Sequence, residues 1–502
     1  MNRIHNTLLI ISLLAAFLIA GCGGGGAFSV AEGGIGGTGI STGTVTGIGS
    51  ITVNGVKFNT DNSAIYVEGT RVDDQCPDTD TAAECLIRLG FSVGQVVRVV
   101  GNFNDDGKTG TAEQVYFNDS VEGPVESVAQ IDATTQELVV MGQTVIVDSK
   151  TQPAGINLAI FDETNPDRVE VSGLMDELGR IRAGYLEIKG VFTNGEEVEV
   201  KGIVTGDNGS NFTINGLVVD YTGAIELPVG GIQNGMQVEV KGTYDGQLRA
   251  ETVEREDDIG GGDDDDVEYE GIVSDAAGYA GAGGSFTLGM QVVQTSLNTI
   301  FKGGLDTDIV VGARLEAEGY LSAGVLIAKE ISFKDAIEID ARVDAASVIP
   351  NGDIVTFNLE GLGSLTVQVN RLSKISGATG FDNLVNKLTS GAVDYVEVRG
   401  SDISSGSPVT IYAQEIDIDE GNTDTKVKIQ GPVTDSEPVV TILGNNIDVT
   451  DPSNSIEYED INEQLISQAV FFALIDDGDI VGAEGDLGLG GVSWDKLEIE
   501  DD

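Results

Sequence analysis

One pattern recurs six times along the 502 residues and limits the fold more than any other feature. A strand-like stretch of alternating residues ends in glycine: VVRVVG at Gly101, DRVEVSG at Gly173, MQVEVKG at Gly242, ARLEAEG at Gly319, DYVEVRG at Gly400 and DIVGAEG at Gly485. The intervals are 72, 69, 77, 81 and 85 residues, a domain-sized period rather than a solenoid one. About ten residues after each glycine comes a small residue and an apolar-acidic ending: Ala112, Ala183, Ala250, Ala328, Ala413, and in the sixth copy Trp494. Each unit opens on a Gly-x-Val-like strand, at Gly43, Gly123, Gly202, Gly271 and Gly431; the fifth departs with Ala341.

Between these marks lies a hairpin. Asn54-Gly55 and Asn215-Gly216 sit between alternating strands, and such pairs favour the tight two-residue turn. VVMGQTVIV, FTLGMQVVQ and VTILGNNIDV fill the same place in repeats two, four and six. Some repeats add a short helix before the fourth strand. In repeat five Phe381, Leu384, Val385 and Leu388 share one helical face, and Gly391 can end the helix. In repeat six Asp460, with Glu463 three residues on, predicts a cap for a helix running through Phe471 and Phe472. The expected fold is all-β: tandem small five-stranded OB-like barrels, some with a helix between strands three and four. Closure is needed because so short a strand set must cover its own edges and apolar face.

The predicted division is 1–21 signal peptide, 22–42 Gly-rich tether, 43–119, 120–190 and 196–256 for repeats one to three, and 257–266 acidic linker. Repeats four to six follow at 267–335, 336–419 and 426–502. The signal reading rests on Arg3, the short apolar run Leu8 to Ala20, and Ile19-Ala20-Gly21-Cys22, which resembles a bacterial lipobox. An ordinary secretory signal with a chance cysteine is the competing reading. On the lipoprotein reading Cys22 carries the lipid, and two or three acyl chains make a stable membrane anchor. Gly23 after the cysteine, by resemblance to the sorting rule of enteric bacteria, favours the outer membrane, periplasmic or surface-facing. The following GGGGAFSVAEGGIGGTGIST would reach roughly 25 Å as a flexible chain, most clearly up to Ala31, against the reading that part of it pairs as an early strand.

The whole resembles a bacterial family of envelope lipoproteins with repeated OB-like β-barrel domains of unknown function. The residues that carry the resemblance are the opening GGIGGTGISTGTVTGIGSITVNGVKF and the repeated VEVxG…A…IE units. It is strongest in repeats one and three and weakest in five and six. The resemblance implies a fold and a compartment, and no activity.

Charge and composition then exclude function classes. With 82 Asp and Glu against 27 Lys and Arg, the net charge is −55, which repels phosphate backbones, so no nucleic-acid partner is expected. The one histidine is His5, inside the predicted signal, so imidazole catalysis and His metal sites are not expected. Cys76 and Cys85 flank an acidic insertion in repeat one, DDQCPDTDTAAECLIRLG, and an oxidising compartment favours a structural disulfide between them. Redox chemistry would want closer spacing and a basic setting. Asp263, Asp264, Asp265 and Asp266 are the densest acidic run and offer oxygen ligands for Ca²⁺, against the reading of a solvated linker. Asn104-Asp105-Asp106-Gly107 resembles a fragment of a calcium loop but reads first as a hairpin turn. No other cofactor is expected. The expected role is a non-enzymatic, lipid-anchored binding or spacing module with its barrels strung out along the chain. The partner, a protein or a glycan of the envelope, is left open. The alternatives are a calcium-binding surface protein and a carboxylate-based glycan hydrolase, the latter needing two carboxyls about 5–9.5 Å apart.

Overall fold

The structure, a computed structural model, describes residues 37–500 apart from 78, 105–107, 132–134, 149, 154–155, 157–164, 257–264, 303–305, 307–308, 335–336, 364, 401, 404–407, 436–438, 450–455, 461–463 and 476–478. The predicted signal peptide, Cys22 and Asp105 to Gly107 therefore lie outside the described residues. No described helix is long and apolar enough to cross a membrane.

The architecture is nearly all β and repeats one barrel plan. In repeat one the strands are Gly37–Gly47, Ile51–Val53, Val56–Asn59, Val96–Phe103 and Thr109–Phe117. The first pairs antiparallel with the second and fourth, the second with the third, and the fourth with the fifth. The third runs parallel to the fifth and closes the ring. Repeats two, four and five close in the same order. Repeat three closes its first seam through a single bridge between Thr205 and Thr213, with backbone bonds of 2.9 and 2.8 Å. In repeat six the described third strand, Asn445–Asp448, pairs only with the second, Val439–Ile442. A further strand, Glu457–Glu459, takes the parallel place beside the fifth, Gly491–Ile499. Order and closure are those of OB-like barrels in tandem.

The sequence marks have local causes. The hairpins turn through left-handed residue pairs, Asn54-Gly55 at φ 52° and 75° and Asn215-Gly216 at 46° and 92°, which match the twist of the flanking strands. In five of the six repeats the marked glycine of the fourth strand sits at a bulge, Gly400 of repeat five being the exception. At Gly101, Gly173, Gly242, Gly319 and Gly485 the register shifts against the fifth strand, opposite Ala112, Ala183, Ala250, Ala328 and Trp494. A Cβ at any of these glycines would overlap a carbonyl oxygen of the partner strand.

Helices Ala82–Arg88, Phe381–Ser390 and Gln468–Leu474 are present in repeats one, five and six. The repeat-five helix matches the predicted face, with Phe381, Leu384 and Leu388 buried and Gly391 left-handed at φ 68°. The repeat-six helix starts later than predicted. Ser467, not Asp460, caps it by accepting from the Val470 amide, while Asp460 accepts from the Gln464 amide. The helix in the repeat-one insertion was not foreseen; Thr81 and Glu84 cap each other reciprocally at its start.

The barrels are joined in pairs through their first strands. Val121–Gln130 of repeat two pairs antiparallel with Glu197–Ile203 of repeat three. Ile337–Asn351 of repeat five pairs antiparallel with Lys426–Asp435 of repeat six. Repeat one skips two neighbours: Gly39 to Thr42 pair in parallel with Asp266 to Tyr269 of repeat four. Three large sheets result, one per pair. This corrects the expected linear string of barrels.

Residues 37–42, expected as part of the tether, already belong to the strand Gly37–Gly47. Glycines at 39 and 43 serve close approach, not flexibility. A Cβ on Gly39 would meet the Asp266 carbonyl and the Phe103 ring, each at 2.9 Å. Ile40 is 4% exposed and belongs to the core of repeat four, with Val267, Tyr269 and Leu315. Burying such a side chain stabilises by about 1.5–3 kcal/mol. The linker likewise ends one residue early, because Asp266 is already in the repeat-four strand Asp266–Asp275.

Candidate functional site

Two features of the joined barrels carry chemistry: rows of carboxylates along the seams, and a cavity where four repeats meet. In V-E-V strands alternation turns valine into the barrel and glutamate outward. Where a neighbouring strand or barrel covers that outward face, glutamates are buried, as at Glu199, Glu268, Glu318 and Glu338. Because the motif occurs in both first and fourth strands, the ladder sets acid against acid. Glu170, Glu122 and Glu199 stand side by side across repeats two and three. Glu268, Glu318 and Glu330 do so in repeat four, and Asp340, Glu397 and Asp417 in repeat five.

Lysine and arginine answer these rows from adjoining strands. Lys241 Nζ lies 2.8 Å from Glu68, 3.0 Å from Glu199 and 3.1 Å from Glu239. Glu68 arrives from a turn of repeat one, so one ammonium ties repeats one and three together. The three carboxylates lie close enough to hold a metal ion, as do Glu338, Asp340 and Glu397. The first group already surrounds Lys241. In the second, Glu338 takes Lys428 at 2.7 Å and Arg399 at 3.3 Å. At the seam of repeats one and four, Glu270 accepts from the Thr44 amide at 2.6 Å and from Arg314 Nε at 2.7 Å.

Protonation follows from who is paired. Glu199 is 4% exposed, and one of its oxygens has no hydrogen-bond partner among the described residues. Burial, then Glu68 beside it, pushes its pKa well up. Glu268, 3% exposed, is raised by burial and then by Glu316. Burial, with Glu330 and Glu316 adding to it, takes Glu318 to about 8; burial and Glu338 take Asp340 to about 8. Burial also acts on Glu270 and Glu338, but Arg314 outweighs it in the first and Lys428 and Arg399 in the second, and both stay below the ordinary value.

The cavity, of about 300 Å³, lies between repeats one, two, four and five. Its lining includes Lys150, Arg182, Arg314, Lys374 and Arg399 beside Val45, Val93, Leu174 and Ile272. Repeats one and two meet here backbone to backbone, since a Cβ on Gly94 would strike the Gly184 carbonyl and one on Gly184 would strike that of Gly94.

Among the residues singled out from the sequence, Cys76 and Cys85 form a disulfide with Cα atoms 5.4 Å apart. It closes the insertion between residues 73–75 and the Ala82–Arg88 helix. Only the last two residues of the acidic run are described. Asp263 and Asp264 lie outside the described residues, and Asp265 is exposed just before the strand. Asp266 lies in the strand and pairs with Lys329 at 2.9 Å. Sequence reasoning missed the seam glutamates and the cavity cations. The signal for the former lies in the sequence: glutamate at matched places in strands that must pair.

The family model described as "Domain of unknown function (DUF5666)" matches residues 42–115, 122–187, 201–254 and 270–332, one match for each of repeats one to four and together just over half of the chain. A search of curated proteins finds no match. Among solved structures, a chain described as "drosophila Unr CSD456" aligns at 11% identity over 42% of this chain and 95% of that chain, with a TM-score of 0.12. At that score the likeness carries no argument.

Proposed function

Since the chain belongs to the family of the domain of unknown function DUF5666, we propose that it is a non-enzymatic binding scaffold of the cell envelope, anchored by lipid at Cys22. The observation that carries the scaffold reading is the pairing of first strands between barrels, including the pairing of repeat one with repeat four. Strand pairing fixes orientation in a way that flexible linkers do not. A block of oriented barrels suits the presentation of a composite surface to an envelope protein or glycan. The lipid anchor rests on the lipobox-like Ile19-Ala20-Gly21-Cys22. The acid clusters described above take their counter-ions from the chain itself, so no observation favours the calcium reading over this one.

The anchor is tested by growing cells with an alkyne-tagged fatty acid and fractionating their membranes. The native chain is expected to take the label and to sediment with the outer membrane. Cys22→Ala is expected to lose both properties. Label retained in Cys22→Ala, or native protein found only in the soluble fraction, overturns the anchor. Small-angle scattering of the chain from residue 23 tests the scaffold: one compact particle is expected, and a flexible string of beads overturns it.

A further inference from the structure

We propose that the cavity between repeats one, two, four and five binds a small organic anion bearing two or more acidic groups, such as a tricarboxylate or a phosphorylated sugar. The first argument is charge placement. The cavity gathers five of the chain's 27 Lys and Arg, but only Asp148, Asp176, Glu177 and Glu415 of its 82 Asp and Glu. In a molecule with a threefold acid excess, this is a concentration of cations that the average composition does not produce.

The second argument is preorganisation. Four of the five cations are held by carboxylates, Arg399 among them through Glu338 at 3.3 Å. Asp176 takes Arg182 Nε at 3.0 Å and Arg180 Nε at 2.8 Å, and accepts from the Leu178 and Arg180 amides as well. Glu415 holds Lys374 at 2.6 Å, and the buried Glu270 holds Arg314 at 2.7 Å. Lys374 reaches across from repeat five to pack over Gly312 of repeat four, where a Cβ would meet its Cδ at 2.6 Å. A guanidinium has five N–H donors in a rigid fork, so one carboxylate does not exhaust it. The side-chain ordering that a ligand would otherwise impose is already done in the fold.

The third argument is size and wall chemistry. The volume lies at the lower end of ligand pockets, which run from about 300 Å³ upward, and the lining holds apolar residues as well as charged ones. A compact organic anion with a short carbon skeleton fits both. The inference does not rest on the lipid anchor.

The test is calorimetric titration of the chain from residue 23 with citrate, glucose 6-phosphate, inorganic phosphate and glucose. Citrate or glucose 6-phosphate is expected to bind, glucose is not, and binding is expected to weaken at high salt, as screening requires. Weak binding by phosphate alone would identify the acidic group as the part recognised. Two variants locate the site. Val93→Glu places a carboxylate at the cavity from a residue that is 37% exposed and in no ion pair. Lys150→Ala removes a cation from an exposed position. Each is expected to weaken binding by about tenfold or more, equal to about 1.4 kcal/mol. Circular dichroism verifies that each variant is folded, and if Val93→Glu unfolds, Lys150→Ala decides. Titrations without heat for either organic anion, or binding that the folded variants leave unchanged, overturn the proposal.

Discussion

At the scale of single residues, collision and charge decide more than propensity does. Gly242 is required because the Arg249 carbonyl of the neighbouring strand occupies the place of its Cβ. Gly242→Ala is therefore expected to cost about 2–4 kcal/mol, read as a fall in the midpoint of urea unfolding. Gly246→Ala, four residues on, has open space and only its φ of 101° to resist it, and is expected to cost about 1 kcal/mol. Equal losses at both positions would refute the bulge argument. Lys241 is the charge counterpart. Lys241→Met leaves Glu68, Glu199 and Glu239 facing one another without their shared ammonium. The expected loss is about 3 kcal/mol, read as a fall in the same unfolding midpoint. The glycines were legible in the sequence because a bulge ties two marks ten residues apart, and both lie on the same two strands. The destination of Lys241 was not, because its partners come from repeats one and three and no spacing encodes their meeting.

Strands show a different limit. Alternation located nearly every strand and, through V-E-V, the apolar lining of each barrel. It left open what covers the other face, and that face decides whether a glutamate is solvated or buried. The covered rows make stability depend on pH in a stated direction. Glu318 and Asp340 titrate near 8, and Glu500 near 7, each well above its ordinary value, with burial as the first cause. The folded chain thus holds protons that the unfolded chain releases. The stability these groups contribute is complete below about pH 4 and is lost as pH rises through 7 to 8. Glu270 and Glu338 are lowered and act oppositely, losing their contribution as pH falls below the ordinary carboxylate range. Melting temperature is expected to be higher at pH 5 than at pH 8. Glu318→Gln, which keeps the shape and removes the titration, is expected to flatten that slope. A chain equally stable at both values would show that the rows are hydrated.

For the molecule as a whole, the repeats suggested beads in sequence order, and the start of the first bead was the least legible. It was hidden because glycines that permit close packing look like glycines that permit motion. Ile40 is the test of that boundary. Ile40→Asp puts a charge into the core of repeat four while leaving every residue of repeat four unchanged. Hydrogen exchange is expected to quicken in residues 266–333 as well as in repeat one, and to stay slow in repeats five and six. Protection unchanged in repeat four would dissolve the pairing. The same pairing sets an order of events during synthesis. Repeats two and three are neighbours and can close on each other as soon as both have emerged. Repeat one cannot finish, since 226 residues separate Thr44 from the Glu270 carboxylate that its amide meets. Until then the Gly37–Gly47 strand shows an open edge, the kind that pairs with other chains. Repeat one is thus made before repeats two and three but completed after them, and an escort that shields its leading strand would matter more here than for a chain of independent beads.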